Sequence, residues 1–359
     1  MIPILYPASV HSENDLISYG DGFLAETISA TVKRILNGID ELEIRYPLKG
    51  RRAANLELSK VVLAQPEYQT DPQPYRIYDI QKQSDGIIII NARHIKEQLS
   101  YIPVMPYSMT GVTAAQAFEE ARNYTGESSS DFSFWTDIAT TADFTMNQPV
   151  SMLNLLGGVE GSLLDIYGGE YEFDGWIIKL WQRRGADNGV EIRYGKNLIS
   201  AKVDNSTEGV ITGICPFWAD MDGNLITLSE KVVSIGKAAN YPFNRTVVKD
   251  CSEAFESAPT EAQLRAYAQA YLARTGTGDI QQQMDIKFEQ LADYEEYKIF
   301  GVNEKVNLGD TVKIIYSDLG LDASARVVGT TYDVLEERYT GVSLGKIRYN
   351  LNDVLNELK

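Results

Sequence analysis

Histidine, the side chain most often used for proton transfer near neutral pH, occurs only twice, as His11 and His94. The two lie far apart in the chain. No His-Glu-x-x-His motif occurs, so a zinc peptidase of that type is excluded. His94 stands where a strand is predicted to give way to a helix. We therefore predict a hydrogen-bonded structural histidine at this position and not a general base.

Paired carboxylates could serve acid–base chemistry, and adjacent pairs occur at Glu119-Glu120, Glu295-Glu296 and Glu336-Glu337. A glycosidase needs two carboxylates that face each other across a cleft. The chain holds 50 acidic residues, so neighbouring pairs are expected by chance and a solvated surface is the favoured interpretation. A glycosidase remains an alternative, because its two carboxylates need no fixed spacing.

Signatures of nucleophilic, phosphate-binding and metal chemistry are missing as well. No Gly-x-Ser-x-Gly motif occurs, and the surroundings of Cys215 and Cys251 suggest no His or Asn partner. Cys215 is predicted to be a small buried hydrophobic residue. Residues 157–162 lack the lysine of a phosphate loop, and residues 220–224 lack the closing glutamate of a calcium loop, so a hinge and a hairpin turn are predicted. The sequence assigns no catalytic, cofactor-binding or metal-binding residue.

The charge balance limits the partners. The 359 residues include 33 Lys and Arg against 50 Asp and Glu, a net charge of −17. Such a chain does not bind nucleic acid by neutralising phosphates, and no basic stretch attracts it to an anionic membrane. The two cysteines lack CxxC spacing, which favours synthesis in a reducing compartment. The first seven residues carry no basic region or long apolar run, so we predict no signal peptide and no membrane anchor.

The secondary structure that must position these side chains is indicated mainly by turn-forming dipeptides. Five Asn-Gly or Asp-Gly dipeptides lie beside apolar, β-branched runs and supply the positive φ angles of tight hairpins. They are Asn37-Gly38, Asp85-Gly86, Asp174-Gly175, Asn188-Gly189 and Asp222-Gly223. The pattern predicts a mainly β, antiparallel fold with smaller α+β parts.

One segment fits two patterns. Apolar residues from Leu24 to Leu36 fit one face of a helix, whereas the alternation at Ile28, Ala30 and Val32 fits a strand. The Asn37-Gly38 turn that follows favours the strand.

Helices are predicted at residues with capping side chains. Thr113 and Gln116 form a capping box before residues 114–124. Ser151, Ser162 and Thr260 are predicted to open helices at 152–156, 163–167 and 261–274. Near the C-terminus, heptad-like spacing predicts a docked helix or the start of a stalk, with Leu351, Val354, Leu355 and Leu358 on one face.

These elements suggest three domains. Residues 1–97 form a first β-rich domain, and residues 98–169 form a helical or α+β middle domain. Residues 170–359 form a second β-rich domain, interrupted by a helical insertion at about 250–278. Residues 126–131 are predicted to be an exposed loop.

Four phrases, taken in order, resemble the phage and prophage tail-hub family, whose members are described as prophage endopeptidase tail or tail-associated proteins. The first runs from Asn37 to Pro47. The second joins residues 73–78 to Ala92-Arg93-His94-Ile95. The third runs from Leu163 to Tyr171 and continues at residues 184–187 and 192–198. The fourth is Leu308-Gly309-Asp310-Thr311-Val312, followed by residues 332–335. Together they cover about residues 20 to 345.

The resemblance implies two tube-like antiparallel β-barrel domains in each subunit and a homotrimeric ring at the distal end of a tail tube. It also implies partners: the distal tail protein or tail tube, the tape-measure protein and receptor-binding proteins. Synthesis in the bacterial cytoplasm and a place in the virion tail follow. Longer relatives carry a hydrolase or receptor-binding part after the hub, whereas this sequence ends at Lys359, so only the hub role is carried over.

The expected mechanism is passage of DNA without specific binding, because a wall rich in carboxylates repels phosphates. Two alternatives belong to other classes. One is an enzyme that degrades cell-wall peptide or glycan. The other is a carbohydrate-binding adhesin that uses exposed tryptophans as stacking platforms, although core packing is the expected fate of most of the four: Trp135, Trp176, Trp181 and Trp218.

Overall fold

The computed structural model describes residues 1–16, 18–68, 70–126, 131–208, 210–220, 222–255, 257–274, 278, 281–288, 306–319 and 321–345. The fold is mainly β with large antiparallel sheets, as predicted. The chain divides into two compact units. Unit 1 comprises Met1–Lys202 and the chain from Met284 onward, and unit 2 comprises Val203–Gln283. The predicted boundaries at 97 and 169 both fall inside unit 1 and stay predictions.

The first part of unit 1 consists of seven strands: β1 (Ile4–Tyr6), β2 (Gly22–Phe23), β3 (Ser29–Ile35), β4 (Asp40–Pro47), β5 (Val61–Ala64), β6 (Gln73–Lys82) and β7 (Ile87–His94). Residues 29–35 form a strand and not a helix, because Ala30 and Val32 alternate into the core. Asn37 takes a φ of 56° and closes the predicted β3–β4 hairpin. Asp85-Gly86 likewise closes the β6–β7 hairpin.

The middle part of unit 1 combines short strands and helices: β8 (Pro103–Val104), β9 (Tyr107–Val112), α1 (Ala114–Ala121), β10 (Ser133–Thr136), β11 (Ala142–Met146), β12 (Val150–Ser151), α2 (Met152–Leu156), α3 (Leu163–Tyr167), β13 (Glu170–Asp174) and β14 (Ile177–Trp181). The predicted capping box of Thr113 is present, and Ser151 and Ser162 cap α2 and α3. The apolar faces of these elements share one core around Phe118 and Phe144.

Two strands follow, β15 (Asp187–Arg193) and β16 (Leu198–Ser206), and unit 2 begins within β16 at Val203. Unit 2 contains β17 (Gly213–Ala219), β18 (Leu225–Thr227), β19 (Val233–Ser234), β20 (Thr246–Asp250) and α4 (Glu261–Arg274). β17 is central and pairs with the other three strands, and the predicted Asp222-Gly223 hairpin joins it to β18. α4 buries Leu264, Ala268 and Leu272. Cys215 is half-buried, less than predicted, whereas Cys251 is buried.

The chain returns to unit 1 within β21 (Gln281–Phe288) and continues as β22 (Thr311–Tyr316), β23 (Leu321–Asp333) and β24 (Arg338–Gly345). β23 is long enough to pair with β22 through Arg326 and with β3 from Gly329 onward, while β24 lies on its other side. Strands from both ends of the sequence therefore form one sheet, in the order β16-β21-β24-β23-β3-β4-β7-β6-β5-β1-β2, with β15 and β22 beside it.

One predicted hairpin is wrong. Asn188-Gly189 lies inside β15, where the register shifts by a bulge, and β15 pairs in parallel with β22. The φ of 69° at Gly189 accommodates this irregularity in the strand, and the chain does not reverse its direction there. The dipeptide thus marks a positive φ correctly but not a turn.

Short 3-10 helices connect several elements: Glu13–Leu16, Ala53–Asn55, Ile95–Tyr101, Arg122–Tyr124, Gly236–Asn240, Ser252–Ala254 and Ser317–Leu319. The heptad-like residues 351–358 and residues 127–130 of the predicted loop lie outside the described residues. Within the described part of the chain, every helix is too short or too polar to cross a bilayer.

Candidate functional site: a buried polar junction

Unit 1 encloses a cluster of charged side chains, which we call the polar junction. Its members are Arg34, Asp40, Glu67, His94, Lys96, Glu170, Arg184 and Arg326. Most of them are buried, and Arg184 and Arg326 are half-buried. Buried charges are tolerated only where they are paired and hydrogen-bonded, so each contact in the cluster matters for stability.

The centre of the polar junction is a guanidinium between two carboxylates. Arg34 ends β3, and its Nε lies 3.0 Å from Asp40 Oδ2 at the start of β4. Its Nη1 lies 2.5 Å from Glu67 Oε1. Burial opposes the charge of Arg34, but the two carboxylates outweigh it and raise the pKa of Arg34. Tyr75 donates from its hydroxyl to Asp40 Oδ1 at 2.8 Å, so that both oxygens of this carboxylate have a partner.

Glu67 links segments that are distant in sequence. Besides Arg34, its Oε1 lies 3.4 Å from Arg184 Nη2, and its Oε2 accepts from the Leu308 backbone N–H at 3.4 Å. The carboxylate is 1% exposed. A single side chain from the β5–β6 connection therefore joins three parts of unit 1.

Glu170 and Arg326 form a second pair with two contacts. Arg326 Nη1 lies 2.5 Å from Glu170 Oε1, and Nη2 lies 2.9 Å from Oε2. The same guanidinium donates to the backbone oxygens of Arg184 and Gly309 at 2.6 and 2.7 Å. A fork of this kind fixes orientation as well as distance. It holds β13 against β23 and the loop before β22.

Two glycines permit a close backbone crossing beside this pair. Gly185 has a φ of +76°, and a Cβ placed there would lie 2.3 Å from the carbonyl carbon of Gly309. Gly309 has a φ of +95° and faces the backbone of Arg184. Asp310 Oδ1 accepts from the Ala186 N–H at 2.8 Å across the crossing. Side chains at either glycine would push the two segments apart.

His94 lies at the other end of the polar junction, fully buried at the end of β7. Its Nδ1 accepts from the Lys96 N–H at 3.2 Å, so its Nε2 carries the proton and faces Gln73 Oε1 at 3.2 Å. Gln73 Nε2 in turn donates to Asp174 Oδ1 at 3.0 Å. Burial lowers the pKa of His94 to about 3. The predicted structural histidine is confirmed.

Lys96 and Asn37 tie the β3–β4 hairpin to the same place. Lys96 Nζ donates to the Gly38 oxygen at 2.5 Å. Burial lowers the pKa of Lys96. The Asn37 amide donates to the Gly169 oxygen at 3.3 Å and accepts from the Tyr171 N–H at 2.7 Å. The turn is thus anchored by its own side chain to the start of β13.

All four phrases that carry the family resemblance meet at the polar junction. The first supplies the hairpin after β3, and the second supplies Gln73, Tyr75 and His94. The third and fourth supply Glu170 and the crossing at Gly309. Sequence reasoning singled out these phrases without finding the contacts between them, and it missed Arg34, Glu67 and Arg326. In this chain the four phrases therefore meet at one structural joint.

The chemistry of this arrangement is binding of one segment to another. Each carboxylate of the junction already accepts from an arginine, and no group of His, Cys, Asp or Glu in the described residues could hold a metal ion. The acidic pairs behave as surface groups. Glu119 pairs with Arg122, and Glu337 pairs with the N-terminal ammonium group. Glu295-Glu296 lies outside the described residues.

The remaining candidate segments serve local structure. Residues 157–162 connect α2 to α3, and Ser162 caps α3. Asp220 accepts from the Asn224 N–H at 2.8 Å and so closes a turn. Trp176 and Trp218 are buried, as expected of core residues. Trp135 is 43% exposed and lies against half-buried Trp181.

The face of the large sheet that points away from the core carries charges of alternating sign. Lys33, Glu41 and Arg93 stand opposite one another on β3, β4 and β7. Arg93 Nε donates to Glu41 Oε1 at 2.9 Å, and its guanidinium lies 4.4 Å from the centroid of the Tyr78 ring. Lys33 and Arg93 therefore both have Glu41 as an acidic neighbour.

Several strands of the sheet have a single neighbouring strand in the described chain. β16 and β2 end the strand order, and β15 pairs with β22 alone. In addition, β6 extends past β5, so that Asp79–Lys82 pair with β7 alone among the described strands. Edge strands of this kind can pair with a further strand.

The second half of the chain matches a family model. The family is described as prophage endopeptidase tail, and the match covers residues 186–355. The word endopeptidase is part of that family's label. No curated protein matches the chain.

Solved structures with the same fold are tail proteins. The prophage tail protein gp18 from Listeria monocytogenes EGD-e has a TM-score of 0.59 at 15% identity and covers 100% of this chain and 98% of its own. The tail protein from Neisseria meningitidis MC58 has a TM-score of 0.59 at 10% identity, covering 92% and 94%. The 43 kDa tail protein of prophage MuSo2 from Shewanella oneidensis has a TM-score of 0.57 at 12% identity and covers 89% of this chain and 94% of its own. The resemblance seen in the sequence is confirmed: this chain has the fold of prophage tail proteins, and its second half matches the prophage endopeptidase tail family.

Proposed function

We propose that the chain is a non-enzymatic hub of a phage or prophage tail tip, where three copies close into a ring between the tail tube and the tip. The observation that carries this proposal is the continuous sheet through β3 and β23, in which, among the described strands, Asp79–Lys82 pair with β7 alone and β16 ends the strand order. A sheet with free edges can close by pairing with copies of itself, and closure covers those edges.

In this ring the two halves of unit 1 are the predicted tube-like domains. β3, β4, β7 and β6 belong to the first, and β21, β24 and β23 belong to the second. The β3–β23 pair joins the two within one chain, and β6 against β16 of the next copy repeats the arrangement between chains. The polar junction then keeps the two halves at a fixed angle, which a closed ring requires of every copy.

The sheet face with alternating charges forms the wall of the channel in this proposal. DNA passes along it without specific binding, because Arg93 already pairs with Glu41 and the chain as a whole carries a net charge of −17. The proposed neighbours are the distal tail protein or tail tube, the tape-measure protein and the receptor-binding proteins. The proposed location is the tail of the virion.

Measuring the mass of the purified chain in solution over a range of concentrations tests the ring. We expect a species of three chains, and threefold or pseudo-sixfold rings in electron micrographs. Lys82→Pro removes a backbone N–H at the outer edge of β6 and should shift the population to monomer. Lys82→Ala keeps that N–H and is the matched control. A strictly monomeric wild-type protein at high concentration contradicts the proposal.

A further inference from the structure

A three-stranded sheet in unit 1 presents an aromatic platform on one face. β10 pairs in parallel with β14, and β13 pairs with β14 in antiparallel fashion. Phe134, Ile178 and Leu180 point to the core. Trp135, Lys179 and Glu172 stand opposite one another on the three strands, on the other face.

Two indole rings dominate this outer face. The centroids of Trp135 and Trp181 are 4.5 Å apart with an interplanar angle of 62°. Trp181 Nε1 donates to Glu172 Oε2 at 2.7 Å, which fixes the orientation of its ring. Trp135 stays 43% exposed, whereas its neighbour Phe134 packs against the core. The pair is therefore a rigid, partly solvent-exposed aromatic surface.

Polar groups border the aromatic surface. Lys179 Nζ lies 2.8 Å from Asp174 Oδ2 and 3.8 Å from Glu172 Oε1. At the end of β10, exposed Asp137 accepts from the Gln182 N–H at 2.6 Å. Each carboxylate has a protein donor that holds it in place and still has lone pairs for a further donor.

The chemistry of this surface indicates its ligand. The centre of a protein–protein interface is depleted in Lys, Glu and Asp, whereas here Glu172 accepts from Trp181 and is itself close to Lys179. A small molecule is normally enclosed in a concave pocket, whereas this platform is one face of a sheet. A sugar ring has an apolar C–H face that packs on an indole, and a rim of hydroxyl donors that suits fixed carboxylates.

We propose that the Trp135–Trp181 platform binds a hydroxyl-rich polysaccharide chain, with a sugar ring on Trp135 and its hydroxyls on Glu172, Asp174 and Lys179. The inference does not rest on the trimeric ring, because all of these residues belong to one chain. Of the four tryptophans that the sequence offered as candidates for carbohydrate binding, this proposal selects one pair.

The test uses the full-length protein in two assays. An array of bacterial surface polysaccharides identifies a binding glycan, and co-sedimentation with purified peptidoglycan sacculi covers the cell wall. We expect binding by the wild type, a loss of at least about tenfold in Trp135→Ala, and binding within about threefold in Trp135→Phe, which keeps an aromatic face. Tyr101→Ala removes an aromatic residue that is 84% exposed elsewhere and should leave binding unchanged.

Circular dichroism and the mass in solution accompany each variant, so that misfolding is recognised. Trp135→Phe keeps the proposal testable if Trp135→Ala fails to fold, because Glu172→Gln in the Phe background should then remove the remaining binding. The proposal is overturned if the wild type binds neither the array nor sacculi, or if Trp135→Ala binds as well as the wild type. A change in oligomer mass with unchanged glycan binding overturns it too and assigns the pair to a contact between copies.

Discussion

The two units of the molecule use charge in opposite ways. In unit 1, Arg34, Asp40 and Glu67 are paired where almost no solvent reaches them. In unit 2, Arg265 pairs with Glu230 while both side chains are more than a third exposed. Unit 2 is instead held by small apolar clusters around Ile214 and Leu264.

The difference reflects what each unit has to join. Unit 2 is one continuous stretch of sequence, so short-range hairpins and one helix bring its apolar groups together. Unit 1 combines strands from both ends of the chain. The charges of its polar junction are all paired only when these segments adopt one particular arrangement. A buried ion pair adds little net stability over apolar residues, but a wrong arrangement leaves charges unpaired. Buried charge in unit 1 thus specifies geometry.

Removing the shared carboxylate should have the largest effect. In Glu67→Gln, Arg34 and Arg184 lose a buried counter-charge, and we expect a loss of about 3–5 kcal/mol in the free energy of unfolding. Glu43→Gln, on the exposed face of β4, is the control and should change it by less than about 0.5 kcal/mol. Urea unfolding followed by circular dichroism measures both. Equal midpoints for the two variants would sink the idea that the junction is essential.

Truncation in the core of unit 2 should have the next largest effect and stay local. Leu264→Ala removes a fully buried side chain of α4 and should cost about 2–4 kcal/mol. Hydrogen exchange should accelerate in β17 and α4 but not in β3 and β4. Leu225→Ala, at a residue 64% exposed, is the control. Equal acceleration in β3 would show that the units unfold together.

Acid should weaken unit 1 through His94. Burial lowers the pKa of His94 from 6.5 to about 3, so between these pH values His94 is protonated in the unfolded chain and neutral in the folded chain. The stabilisation that comes from neutral His94 is present in full above about pH 6.5 and is lost as the pH falls toward 3. At pH 4.5 the expected loss is about 2–3 kcal/mol.

Unfolding measured from pH 7 to 4.5 in wild type and in His94→Gln checks this assignment. The variant should be less stable at pH 7 but should lose less on acidification. Burial alone would raise the pKa of Asp40, but Arg34, the other nearby cationic groups and the Tyr75 hydrogen bond together lower it, so the contribution of Asp40 is lost only in stronger acid. Identical pH dependence in the two proteins would assign the effect to other groups.

The surface pair of unit 2 should matter least. Arg265→Ala removes the contact with Glu230, and we expect no measurable change in the unfolding midpoint, since exposed pairs are screened by water and salt. The same urea titration as for Glu67→Gln gives a direct contrast between the two kinds of charge pair. A shift as large as that of Glu67→Gln would erase the distinction between the units.

Features decided by neighbouring residues were predictable from the sequence. The Asn37-Gly38 hairpin and the Thr113–Gln116 capping box follow from local hydrogen bonds and φ preferences, and both are confirmed. The structural role of His94 was also predicted correctly. Asn188-Gly189 was misread, because a bulge inside a strand needs the same positive φ as a turn.

The polar junction could not be predicted in this way. Glu67 meets Arg184 and Leu308 across long stretches of chain, and nothing in the residues beside it distinguishes it from the other acidic residues. The resemblance pointed to the right phrases, but only the fold shows that Gly185 and Gly309 cross there. Platform residues such as Trp135 were named as candidates, and their exposure depends on the packing of β10, which the sequence does not reveal.

The length of β23 has a mechanical consequence. Hydrogen bonds between antiparallel strands lie across the strand axis, so tension along β23 loads its bonds to β22, β3 and β24 in shear and simultaneously. Such a strand resists pulling far better than a hairpin that opens one bond after another. Because β23 pairs with β3 and with β22, tension along it loads both the first strands and the last strands of unit 1 at the same time.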